Sequence, residues 1–540
     1  MYAFFAFIVA LFVTLVLAPG LAKVASRLKL VDLPNHRKVH AQPIPRCGGI
    51  AMALGTLVPL LMWTDLDAQR LSCIVAAGIV LIVGVWDDRC TIHYGWRLLG
   101  QVTAALIVMH AGIVLRHYAF FGLDPVPDVV SYTITTLFLV GLTNAVNLFD
   151  GLDGLAGGCV VLTLSTIALL GGQAGGDALA LTCLSIIGAT FGFLRYNTHP
   201  AKMFMGDAGS NWLGFTVGVL CIVLIEQHAT ALNPALPALL IGVPLLDLVT
   251  VVTQRLSLGL SPFAADRRHL HHKILDLGFR HYEAVALIYM VQAAMVAAGL
   301  VLRFASDPVF IAAYATLAAV VVVTLLMLHN RRWRRPAPVS PEAREAPSAI
   351  LRWRARLPAL SGVALTVGLV FYLITGALAP VGISSDFALL ALGTAGLVLA
   401  HALIMRKSSR TMMRIGVYVS ATAAAHFLVV WNEQSEAVGI VVGVLLACMG
   451  AVLLSAIVVG RRHSFQVTTQ DLLILFLAIV IPNLTGQAFV AYQVSQMAAM
   501  LVVVFYAAEF LLSREERVPT VIKVASIAGL GIMGLRGLLA

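Results

Sequence analysis

Two aspartates stand three residues apart in "NLFDGLDGLAGG", Asn147 to Gly158. If the turn is helical, that spacing puts Asp150 and Asp153 on one face. Three more carboxylates lie in two other polar clusters, the adjacent Asp87 and Asp88 of "WDDRCTIHYGWR" and Asp207 of "MGDAGS". Such a set suits a hard divalent cation holding a phosphate ester, since Mg²⁺ takes a few carboxylates together with water and substrate phosphates. Zinc would call for cysteines and histidines, but the seven cysteines are scattered, mostly in apolar runs, and form no C-x-x-C pair. Donors for phosphate oxygens come from two basic loops. "HRKVHAQPIPR" holds His36, Arg37, Lys38, His40 and Arg46, and "RRHLHH" holds Arg267, Arg268, His269, His271 and His272. Plainer readings stand beside these. Aspartate caps helix ends, Arg and Lys fix membrane topology, glycines pack helices, and His-x-His-His can be a transition-metal site.

The segments that must hold these clusters are apolar. The chain is 60% hydrophobic and 11% charged, with mean hydropathy +0.93. Repeated apolar runs of spanning length make it an all-α polytopic membrane protein and exclude a soluble globule. Hydropathy predicts about eleven spans within residues 1–330 and about seven within 359–540. The first, "YAFFAFIVALFVTLVLAPG", lacks a basic n-region and reads as a retained helix rather than a cleaved signal peptide.

With the N-terminus outside, 32 of the 36 Lys and Arg residues fall on the inner side, leaving Arg70, Arg116, Arg303 and Arg536 outside. The positive-inside rule then places every polar cluster on the cytoplasmic face. The net charge of +10 is mostly this topology signal, and no nucleic-acid partner is expected. Residues 331–358, opening "RRWRRPAPVSPEAREAP", read as a basic cytoplasmic linker. Residues 359–540 carry no familiar motif and read as an accessory transmembrane region, with Asp471 and Glu509 as its intramembrane acids. Partner docking, lipid handling and a structural role all suit that region.

In order along the chain, "PIPRCGG", "GVWDDR", "NAVNLFDGLDGLAGG", "MFMGDAGS", "PLLDLV" and "SPFAADRRHLHH" resemble the motifs of the polyprenyl-phosphate N-acetylhexosamine-1-phosphate transferases, the MraY/WecA family, and its WecA-like branch in particular. The likeness covers about residues 1–330, so that this part is expected to be the transferase domain. It implies transfer of a HexNAc-1-phosphate, GlcNAc-1-phosphate or a related one, from a UDP-N-acetylhexosamine to undecaprenyl phosphate. UMP is released and lipid-linked cell-envelope glycan synthesis begins. The implied setting is the bacterial inner membrane and its lipids, the implied cofactor is Mg²⁺ with Mn²⁺ as a substitute, and a homodimer is compatible with it.

By the same resemblance, Asp207, Asp88 and Asn147 hold the metal. Asp87, Asp88, Asp150, Asp153, His269, His271 and His272 carry the catalytic roles, and Lys38, Arg46, Asn144, Asn147 and Arg267 bind substrate. Asp87 is the family's candidate for taking a proton from the lipid phosphate. A phosphate monoester has a second pKa near 6, so the nucleophile is already largely deprotonated and direct attack is favoured, with a covalent aspartyl intermediate as the alternative. A transporter or lipid-handling protein is the competing class. Transport would call for internal repeats and mid-membrane polar residues, whereas the polar clusters here lie at one face.

Overall fold

A computed structural model describes residues 2–33, 42–116, 127–261, 268–330, 348–404, 410–459, 488–512 and 518–539. The chain divides into two compact units, Met1–Ala337 with Thr468–Leu473, and Pro338–Val467 with Ile474–Ala540. Among the described residues ten helices are long and apolar enough to cross a membrane. Within a bilayer the backbone must satisfy its own hydrogen bonds, and helices do so segment by segment. The chain is accordingly an all-α polytopic membrane protein.

The first unit runs α1 (Tyr2–Ala25), β1 (Val31–Asp32), β2 (Ile44–Pro45), α2 (Gly48–Trp63), α3 (Ala68–Cys90), α4 (Tyr94–His110), α5 (Asp128–Phe149), α6 (Leu155–Gln173) and α7 (Asp177–Asn197). It continues through α8 (Gly206–Val223), α9 (Leu236–Leu240), α10 (Gly242–Ser257), α11 (Leu270–Asp276), α12 (His281–Val301) and α13 (Asp307–Asn330). Helix α8 is central, packed against α2, α3 and α5 and buried along nearly its whole length. By contrast α13 buries only Phe310. Exposed apolar side chains such as Ile82 on α3 and Leu137 on α5 are what a lipid-facing surface requires.

Two features place the polar loops. Strands β1 and β2 pair antiparallel, Val31 opposite Pro45 and Asp32 opposite Ile44. The chain beyond β2 zips onto the approach to α8, with Phe204 N–H donating to the Pro45 carbonyl at 2.8 Å and Gly48 N–H to the Phe204 carbonyl at 3.0 Å.

The single span that hydropathy predicts over 236–254 is instead two helices, broken at Ile241 between α9 and α10. The freed Leu240 carbonyl accepts from Thr163 Oγ1 at 2.5 Å and from Gln292 Nε2 at 2.6 Å. Gln292 Oε1 in turn accepts from Val243 N–H at 3.0 Å. Neighbouring helices thus re-satisfy the interrupted backbone.

In the second unit the described helices are α14 (Ser348–Leu378), α15 (Ser385–Ile404), α16 (Arg410–Gln434), α17 (Glu436–Val459), α18 (Ala488–Leu512) and α19 (Val518–Leu539). Their core is Ala, Leu and Val around Tyr372 and Phe427. Helix α14 begins at Ser348, inside the stretch expected to be linker, because "SAILRWRARL" is rich in strong helix formers. Glu509 on α18 pairs with Arg414 on α16, Nη2 to Oε2 at 2.7 Å and Nε to Oε1 at 2.6 Å, and accepts from Tyr418. Asp471 and the span expected near 472–491 lie largely outside the described residues.

Candidate active site

Asp207 opens α8, and its carboxylate is held from α5: Asn147 Nδ2 donates to Asp207 Oδ1 at 2.6 Å and to Ser210 Oγ at 2.8 Å. Behind it runs a buried amide chain. Asn144 Nδ2 donates to Gln101 Oε1 at 2.7 Å, Gln101 Nε2 to Asn211 Oδ1 at 3.2 Å, and Asn211 Nδ2 to the Asp207 carbonyl at 2.7 Å. Asn144 and Asn147 sit on one face of α5, three residues apart.

Asp88, at the end of α3, spends both carboxylate oxygens on the start of α8, Oδ1 accepting from Asp207 N–H and Oδ2 from Ala208 N–H, each at 3.0 Å. These are unpartnered amides of a helix N-terminus, where a negative charge is favoured. Gly206 makes the approach workable, having φ +71° and a hydrogen where any Cβ would strike the Asp88 carboxylate. Arg46 bridges two carboxylates, reaching Asp88 Oδ1 at 3.6 Å and pairing with buried Asp32 of β1. Asp87 accepts from Ile92 N–H at 2.8 Å and pairs with Arg97 at 3.1 Å, and its side chain also lies within reach of the Asp207 carboxylate.

Asp150 follows α5 in a non-helical turn. Burial, with the Asp207, Asp153 and Asp88 charges adding to it, pushes its carboxyl up to about 8. Asp207, Asp153 and Asp88 are thus three carboxylates close enough to act on a fourth, that of Asp150. Mg²⁺ takes oxygen ligands of this kind, so the donor set of Asp207 and Asp150, oriented by Asn147, fits the ion. Asp88 is already committed to backbone amides.

Asp153 is turned away from this group. Its Oδ2 meets His199 Nδ1 at 2.7 Å and accepts from Ala201 N–H at 3.1 Å, while its own N–H donates to His281 Nε2 at 3.1 Å. Asp153, His199 and His281 have the spacing of a metal cluster. The two imidazoles stack at 14°, and the three side chains join the α6, α7 and α12 ends.

The histidine loop reaches the aspartate turn through His271, which lies against Gly151 so closely that a Cβ there would overlap the ring. Burial, with His272 beside it, pushes His271 down to about 3, so it is neutral at working pH. Its ring stacks with His269 at a centroid distance of 5.6 Å and contacts His272 at 4.3 Å. His269 pairs through Nδ1 with Asp247 Oδ2 at 2.8 Å. Lys38 and Arg267 lie outside the described residues.

Residues 70–225 match glycosyl transferase family 4. Over 291 residues the chain is 35% identical to a probable undecaprenyl-phosphate N-acetylglucosaminyl 1-phosphate transferase of Bacillus subtilis (strain 168), covering 53% of this chain and 81% of that relative. The chain belongs to this family. It is also 32% identical over 321 residues to an undecaprenyl-phosphate alpha-N-acetylglucosaminyl 1-phosphate transferase of Yersinia pestis, covering 58% of this chain and 87% of the relative. A decaprenyl-phosphate N-acetylglucosaminephosphotransferase of Mycolicibacterium smegmatis is 34% identical over 341 residues, covering 57% of this chain and 84% of its own. The matched family segment lies wholly within the first unit and includes Asp87, Asp88, Asn147, Asp150, Asp153 and Asp207.

Sequence reading of this family 4 chain did not assign Asp32, Gln101, His199, Asn211, Asp247 or His281 to the site. For Asp247 the signal was present as an acid inside an apolar run. For the others, helix-face register across distant segments decides, and a single sequence does not print it.

Proposed function

We propose that this protein transfers a HexNAc-1-phosphate, GlcNAc-1-phosphate by the names of its relatives, from a UDP-sugar to undecaprenyl phosphate with release of UMP. Membership of glycosyl transferase family 4 supports the reaction class. The observation that carries the assignment of the site is the convergence of Asp207, Asp150 and Asn147 at one end of the first unit, within the matched segment.

In the reaction, an oxygen of the lipid phosphate forms a bond to the sugar-bearing β-phosphorus. The bond from that phosphorus to the α–β bridging oxygen breaks, and its electron pair leaves with UMP. The acceptor is largely a dianion at cytoplasmic pH and needs no base; Asp87, tied to Arg97 and Ile92 N–H, serves to hold the α3–α4 junction. Asp207 and Asp150 would hold a Mg²⁺ ion, which when bound neutralises charge on the pyrophosphate. Asn147 fixes the Asp207 carboxylate. Arg46, between Asp32 and Asp88, keeps a cation beside the carboxylates where phosphate oxygens must come. His271, neutral and packed on Gly151, fixes the turn that carries Asp150.

The site faces the cytoplasm in this reading, supported by the 32 of 36 basic residues on that side. There the soluble sugar nucleotide meets a membrane-bound acceptor. The test is UMP release by purified protein given undecaprenyl phosphate and UDP-GlcNAc or UDP-GalNAc, with Mg²⁺ or with EDTA. Transfer with one sugar nucleotide, abolished by EDTA and restored by Mg²⁺, is expected. Full turnover in EDTA would remove the ion, and no transfer from any UDP-HexNAc would remove the function.

A further inference from the structure

Asp247 sits in mid-helix on α10, within "GVPLLDLVTVV", and is only 2% exposed. A buried carboxylate is costly, and an apolar residue of similar size would ordinarily pack there at less expense. Helix α10 packs against α5 and α12, yet among the described residues the hydrogen-bond partners of the Asp247 carboxylate lie in neither. What accounts for it is the histidine loop. Oδ2 lies 2.8 Å from His269 Nδ1, and Oδ1 accepts from Leu270 N–H at 2.7 Å. One carboxylate thus grips both the ring of His269, itself 7% exposed, and the first residue of α11, the helix that carries His271 and His272.

An ionised carboxylate has only lone pairs to offer. The proton of the shared bond therefore belongs to the imidazole Nδ1, and Nε2 is left as the ring's second functional atom. We propose that Asp247 is a positioning residue for the transfer reaction. It fixes His269 in the Nδ1–H form and seats the His-x-His-His turn against Gly151, so that His269 Nε2 is the atom offered to substrate. The inference rests on the function proposed above. It adds a residue outside the matched segment 70–225, and gives the motif "PLLDLV" a task.

Asp247→Asn separates positioning from mere support. Its amide oxygen can still accept from Leu270 N–H, so the start of α11 is kept, but its amide nitrogen can only donate to His269 Nδ1 and so demands the opposite tautomer. In full-length protein labelled with ¹⁵N-histidine, the His269 signals are identified by their loss in His269→Gln. Nδ1 is expected to be protonated in the wild type and unprotonated in Asp247→Asn. The kcat for UMP release should fall about 10- to 100-fold, the range for losing a group that orients a working histidine, with the KM for UDP-sugar changed less than about threefold. Asp247→Asn combined with His269→Gln should be no slower than His269→Gln alone, because the two act as one unit.

A wild-type His269 protonated only at Nε2, a wild-type kcat in Asp247→Asn, or losses that multiply in the double variant would each overturn the proposal. If the wild type releases no UMP from any UDP-HexNAc, the functional reading fails by itself, and the nitrogen spectrum still decides whether Asp247 sets the tautomer.

Discussion

Both units bury charge among apolar helices, and they do so in opposite ways. In the second, Glu509, Arg414 and Tyr418 close on one another, and Asn432 donates to Gln496 at 3.1 Å. These links tie α16 to α18. In the first, the carboxylates of Asp207, Asp150 and Asp88 gather with Arg46 beside them, and burial together with the neighbouring charges raises Asp150. A closed pair is sufficient for packing, whereas carboxylates drawn together suit a place where a cation is to be held. On the proposed reading, the contrast separates a polar core that holds helices together from one that would receive an ion and a phosphate.

The sharpest way to break that contrast is Asp207→Asn, which should lower kcat by about a thousandfold or more, an amide being a poor Mg²⁺ ligand, while the protein stays folded and inserted. Near-normal turnover with unchanged metal dependence would take Asp207 out of the site. Asn147→Ala comes next. It removes the donor that aims Asp207, and should cost about 10- to 100-fold in activity or metal affinity; an unchanged Mg²⁺ titration would count against it.

The gathered carboxylates also have a pH signature. With its carboxyl raised to about 8 in the ion-free protein, Asp150 carries a proton below that pH, and the ion must displace it. Apparent Mg²⁺ affinity should therefore rise as pH increases toward about 8 and then level off. Calorimetry in buffers of different protonation enthalpy would show proton release, and pH-independent affinity would contradict the crowding.

For the second unit, Glu509→Gln should lower stability by about 1–3 kcal/mol by leaving Arg414 poorly matched, with UMP release per folded molecule unchanged. A loss of turnover at full stability would give that unit a catalytic part. The smallest effect is expected from ending the chain at Asn330, which retains every proposed catalytic residue. Equal amounts of inserted, monodisperse protein should turn over at the wild-type rate, and failure to use undecaprenyl phosphate despite binding UDP-sugar would place acceptor contacts beyond that point.

Much of the framework was legible from hydropathy because a bilayer leaves few choices: a long apolar run becomes a helix. The break at Ile241 was not legible, since the run "ALPALLIGVPLLDLV" is apolar throughout, and what permits the break is Thr163 and Gln292, distant in sequence. In the site, Asp88, Asn147 and Asp207 could be grouped from motif and face, and the structure brings them together. Asp153 looked equivalent to Asp150 at i, i+3. The chain leaves helical geometry at Asp150, however, and sends the second side chain to His199, a partner whose position depends on how α7 packs.

The start of α8 carries a further consequence. A helix N-terminus with free amides is a ready receptor for phosphate, and this one lies in the midst of a site that must handle three phosphorus centres. It is already occupied: the carboxylate of Asp88 fills it from within, a resident anion in the place a ligand's would take. On the proposed reading, phosphate capture would fall to side-chain cations and the ion. With Asp88 filling its end, the α8 N-terminus offers neither the substrate pyrophosphate nor the lipid-linked product a place to settle and stall.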